Sequence, residues 1–99
     1  MSQAKKLISI FNLAGSFAEN KDMARDIRIR EIMPALEKKE GVILDFDGVE
    51  ATTQSFIHAL ISDAIREHQG HALDLITFKS CNETVRKIIS IVVDYMQAG

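Results

Sequence analysis

The chain has 99 residues, 46% of them hydrophobic and 26% charged, which is enough for a real core in one small domain spanning residues 1–99. Its net charge is −2, with 12 basic and 14 acidic side chains interspersed, so no clustered basic face exists for DNA or RNA. One cysteine, Cys81, excludes an internal disulfide framework and fits a reducing cytoplasm.

The opening MSQAKKLISIFNLAG has two lysines before a few apolar residues, without the long apolar core of a signal peptide. No apolar run approaches the roughly 20 residues that cross a bilayer. The expectation is a cytoplasmic protein with no membrane segment.

In chain order, Lys6 to Leu13 is apolar and β-branched, which predicts a strand ending before Ala14-Gly15. Ser16-x-x-Glu19 offers a capping box for the next helix, with Asn20 and Asp22 as rival starts. From Asp22 to Lys39, Ile29, Ile32, Met33 and Leu36 recur at helical spacing. Pro34 lies within that run and must kink or divide the helix, because it cannot donate a backbone hydrogen bond. Gly41 breaks the chain before Val42-Ile43-Leu44-Asp45-Phe46, a short apolar run expected to be a buried central strand.

Thr52 and Thr53 can cap a helix running to His68, with Phe56, Ile57, Leu60, Ile61, Ala64 and Ile65 on its apolar face and Gly70 as its stop. Ala72 to Phe78 predicts a third strand. Ser80-x-x-Glu83 is a second capping-box candidate, opening a last helix from Thr84 to Gln97. Val85, Ile88, Ile89, Val92, Val93 and Met96 form its stripe. Alternating strands and helices predict an α/β fold with a small, mainly parallel or mixed sheet.

The segment Leu44-Asp45-Phe46-Asp47-Gly48-Val49 raises the question of function. An apolar run ending in Asp-x-Asp-Gly-Val resembles the nucleophile motif of haloacid-dehalogenase-type phosphatases, a remote alternative for Asp45 and Asp47. That chemistry also needs a phosphate-binding Lys and a downstream acidic pair for magnesium. Here Asp63, Asp74 and Asp94 are isolated. The plainer reading is that Asp45 and Asp47 bond to nearby backbone amides and shape the turn.

The same stretch more closely resembles the strand end and helix start of the STAS domains, the anti-sigma-factor antagonists, and above all the STAS-like family of unassigned function. Members of that family show an Asp-Phe-x-Gly-Val strand end followed by a helix start such as Gln-Ser-Phe, here Gln54-Ser55-Phe56. The resemblance implies helices mostly on one face of the sheet and a regulatory, non-enzymatic role. It further implies docking of a partner protein, a histidine-kinase-like ATPase in the antagonists, switched by phosphorylation of a serine at the helix start. This chain departs there: Thr53 stands where antagonists carry Asp, Gln54 where they carry the switch Ser, and Ser55 where they carry the next Ser. The favoured reading of Thr52, Thr53 and Ser55 is that they simply cap the helix.

The expected site is therefore Asp47, Gly48, Thr52, Thr53, Gln54 and Ser55, as a partner-docking surface. The alternative is a small-molecule or nucleotide sensor with its pocket between Gly48 and Ser55. No cofactor is expected, and no metal, since His58, His68 and His71 lack ligand spacing. Cys81 reads as a structural thiol, and Arg25, Arg28 and Arg30 as a solvated face. Ile91 and Tyr95 beside the main stripe of the last helix, or an edge strand, suggest a homo-oligomer.

Overall fold

The computed structural model describes residues 5–68 and 70–98. Three parallel strands, β1 (Lys5–Ser9), β3 (Gly41–Asp45) and β5 (Ile76–Lys79), form a sheet in the order β1-β3-β5. The apolar run from Val42 is thus the central strand, as its lack of polar alternation suggests. A second parallel pair joins β2 (Phe17–Ala18) to β4 (Ala51–Thr52).

Sheet register explains the one-sided core. Lys6, Val42 and Ile76 align in one row and Ile8, Leu44 and Phe78 in another, on the face where Val42 and Leu44 are fully buried. The opposite face carries the row Leu7, Ile43 and Thr77, of which Leu7 is 58% exposed. Helices therefore cover mainly one face. The covering layer centres on α4 (Gln54–His68), packed between α2 (Lys21–Ile27) and α6 (Glu83–Ala98), with α3 (Met33–Glu37) against β3. Among the described residues no helix is long and apolar enough to cross a membrane.

Several boundaries differ from the sequence expectation. The first strand ends at Ser9, not Leu13, because the Ser9 hydroxyl accepts the Asn12 amide at 3.2 Å and starts the short helix α1 (Ile10–Ala14). The second helix is capped by Asn20, whose Oδ1 accepts the amides of Asp22 and Met23, and not by a Ser16–Glu19 box. Pro34 divides its helix as expected, but the break is a π-helical turn at Arg28–Ile32, where the Met33 amide reaches back to the Arg28 carbonyl. That turn places the proline in the first turn of α3, where no amide is needed.

The π-turn also rotates the buried face. Ile27 and Ile32, five residues apart, are both buried, while Ile29 is 51% exposed instead of joining the core. Arg28 is half-buried, not on a solvated face. Its guanidinium donates to the Ala59 carbonyl at 3.2 Å and lies 3.3 Å from Asp63, which also pairs with Arg66.

The third strand begins at Ile76, not Ala72, and a short helix α5 (Gly70–Leu75) occupies the preceding residues, so Gly70 starts a helix where it was expected to stop one. The β-branched and aromatic preference for strands starts only at Ile76-Thr77-Phe78, whereas Ala72, Leu73 and Leu75 suit a helix. Ser80 does not cap the last helix; Asn82 does, accepting the Val85 amide at 2.8 Å.

One-sided burial gives a direct test. Leu44→Ala should lower unfolding free energy by roughly 2–5 kcal/mol, and Leu7→Ala on the open face by less than about 0.5 kcal/mol. Equal losses in urea denaturation would contradict the layering.

Candidate functional site

The segment leaving β3 is built by local hydrogen bonds. Asp45 accepts the Asp47 amide on Oδ1 at 2.9 Å, the side-chain turn that asparagine and aspartate favour. The Phe46 amide donates to the Lys79 carbonyl at 2.9 Å, extending the ladder past the strand end and burying the Phe46 ring. The Val49 amide returns to the Phe46 carbonyl at 2.9 Å. Gly48 lies between them with φ +90°, and a Cβ there would stand 2.9 Å from the Phe11 ring. Both the backbone conformation and the close approach require glycine.

Two contacts clamp the next residues. The Ser16 carbonyl accepts the amides of Glu50 at 2.7 Å and Ala51 at 3.3 Å, beside the β2–β4 pair. From the other side, Asn82 Nδ2 donates to the carbonyls of Glu50 at 2.9 Å and Val49 at 3.4 Å. Thr52 is buried, and its hydroxyl donates to the Ala18 carbonyl at 2.7 Å, so it is part of the clamp and not of the helix cap. Thr53 is the cap: its Oγ1 accepts the Phe56 amide at 3.1 Å.

Of the six expected site residues, Asp47, Gly48, Gln54 and Ser55 are exposed, Thr53 is half-buried and Thr52 is buried. Gln54 and Ser55, with His58 and Ala59, face Ile91, Val92 and Tyr95 of α6 across a groove of about 420 Å³, which Lys21 also lines. Gly48 through Thr53 are not among its walls, so this cavity is displaced from the position expected for a sensor pocket. Phe11 on Gly48 and Phe17 paired with Ala51 are 43% and 52% exposed. Those two rings and Asn82 were not recognised from sequence. Asn82 carries a usable signal, since asparagine before a helix is a strong cap. Phe11 and Phe17 carry none, because only the fold brings them to this loop.

Asp45 and Asp47 do not gather acids around them: among the described residues no group of three His, Cys, Asp or Glu is placed to hold a metal ion. His68 lies in the last turn of α4 with Arg66, and the side chain of His71 lies outside the described residues. Cys81 is half-buried. Burial pushes its thiol above the ordinary value of 9.0, Asp45 adds to the rise, and Arg86 opposes it.

The chain belongs to the STAS-like domain family of unknown function (DUF4325), whose model matches residues 24–86. The matched span runs from α2 to the start of α6 and includes the whole clamped loop. Phe11, Phe17, Ile91 and Tyr95 lie outside it. No curated protein and no solved structure matches the chain.

Two measurements check this geometry. Thr53→Ala should cost about 1 kcal/mol. Asn82→Ala should cost roughly 1–3 kcal/mol, and Asn82→Asp less, because it keeps the cap acceptor while losing the donor. An Asn82→Asp change that costs nothing would deny the clamp, and equal losses for the two changes would deny the cap.

The thiol gives a pH dependence. Its folded pKa is raised, so its stabilising contribution is complete below the unfolded value of 9.0 and is lost as pH rises through the folded value. The wild-type denaturation midpoint should fall more steeply than that of Cys81→Ala above pH 9.0, with no difference in slope below it. Parallel curves above that pH would contradict the burial of the thiol.

Proposed function

We propose that this STAS-like chain is a regulatory protein-interaction module that docks a partner protein at the clamped loop and the first turn of α4. By the resemblance to anti-sigma-factor antagonists, the partner is of the histidine-kinase-like ATPase type. The observation that carries the reading is the pairing of exposed Phe11 and Phe17 with a loop whose amides are already bonded. Exposed aromatic groups among polar ones suit a docking surface. Asp47, Val49, Glu50 and Ala51 have their amides committed within the chain, so they do not form the free cradle that holds a phosphate.

The proposal includes a non-catalytic role. The Asp45 carboxylate, the candidate nucleophile, is partly buried and holds the Asp47 amide, which is the work of a turn. Of the hydroxyls near the helix start, Thr52 and Thr53 have structural duties, while Ser55 is exposed at the second helical position. A phosphate there meets a favourable helix dipole, so Ser55 is the better candidate for a charge switch. The groove beside Gln54 and Ser55 favours a second reading, a small-molecule sensor, since a concave apolar wall with a few polar groups suits a ligand.

A capture experiment separates the two. With the wild-type chain as bait in native lysate, Phe17→Ala and Ser55→Glu should each reduce a specifically retained protein by about tenfold, with the fold unchanged by circular dichroism. If neither change alters what is retained, and a nucleotide raises the thermal midpoint, docking fails and sensing replaces it.

A further inference from the structure

Among the described residues, α6 turns one face to the core and leaves a second face exposed. Val85, Ile89 and Val92 are buried and Ile88 is half-buried, whereas Ile91 and Tyr95 are 48% and 73% exposed. At about 100° per residue, the exposed face centred on Ile91 carries Lys87 and Asp94 on one flank and Ile88 and Tyr95 on the other. Neither Lys87 nor Asp94 takes part in the ion pairs seen among the described residues.

We infer that this face is a homodimer interface, with α6 of one copy antiparallel to α6 of a second about a two-fold axis at Ile91. Such an axis sets positions before Ile91 in one copy against positions after it in the other, and keeps each flank on its own side. Lys87 stands about 6 Å before Ile91 along the helix and Asp94 about 4.5 Å after it. The axis therefore brings Lys87 of each copy beside Asp94 of the other, forming two ion pairs at once. On the opposite flank Tyr95 of each copy lies over Ile88 of the other, and Ile91 meets its own image at the centre.

The occupant is a second copy of this chain because the face complements itself. Charge of opposite sign and apolar groups are disposed on both sides of one residue, an arrangement that a foreign partner does not require. This interface goes beyond the docking reading and does not depend on it: the loop of Asp47 to Thr53 takes no part, and Ile91 and Tyr95 adjoin the docking surface only along the groove they share with Gln54 and Ser55.

Sedimentation equilibrium from about 10 μM to about 1 mM tests it, because association depends on concentration. The mass should rise toward twice the 11.1 kDa of one chain. Ile91→Glu should hold it at one chain, with an unchanged circular dichroism spectrum as the check on folding. Lys87→Glu and Asp94→Lys should each weaken dimerisation about tenfold by setting like charges together. The double change Lys87→Glu/Asp94→Lys, and equally a one-to-one mixture of the two single variants, should restore it. A wild-type mass that stays at one chain, a dimer that survives Ile91→Glu, or charge reversals that do not rescue each other would overturn the inference.

Discussion

The carboxamide of Asn82 is the tie on which the candidate surface depends. Its oxygen caps α6 through the Val85 amide, and its nitrogen holds the Glu50 and Val49 carbonyls. Few side chains can do both, because the task needs an acceptor and a donor on one short group. Aspartate can cap but cannot donate, and serine is too short to span from a helix start to a neighbouring loop. Through this residue the last helix and the loop leaving the central strand become one unit.

The rest of the surface follows from that tie and from the opposing grip of Ser16. A loop held on both sides presents Gly48 flat enough for the Phe11 ring to lie against it, at a distance that excludes a Cβ. It also fixes where β4 delivers Thr53, and so where α4 begins. A surface built this way loses little conformational entropy when something binds to it. That property accords with a docking role at the helix start, and the buried Thr52 hydroxyl on the Ala18 carbonyl extends the fixed region to its edge.

How much of this was legible depended on how local the cause was. The central strand, α4 and α6 follow from unbroken apolar or helical periodicity, and Pro34 announces a break in its helix. The character of that break was not legible: a π-turn spaces Ile27 and Ile32 five apart and turns Ile29 outward, a rotation that helical counting cannot contain. The run Lys6 to Leu13 hid a helix because Ile10 and Leu13 are compatible with either state, and the Ser9 cap decided between them. Nothing local announces the β2–β4 pair, whose two residues on each side are joined across the fold. Within the site, the Asp45–Asp47 turn and the Thr53 cap are nearest-neighbour effects and were readable as such. The clamp by Ser16 and Asn82 joins residues more than thirty positions from the loop and was not.

Amide hydrogen exchange of the unbound wild-type chain, followed residue by residue by NMR, tests most directly whether the loop is formed before anything binds. A preformed clamp slows exchange at Val49, Glu50 and Ala51 by at least about 100-fold relative to an unstructured peptide, approaching the protection of Leu44 in the central strand. Exchange of those three amides near the unstructured rate, with Leu44 still protected, would show a loop that orders only on binding and would contradict the clamp.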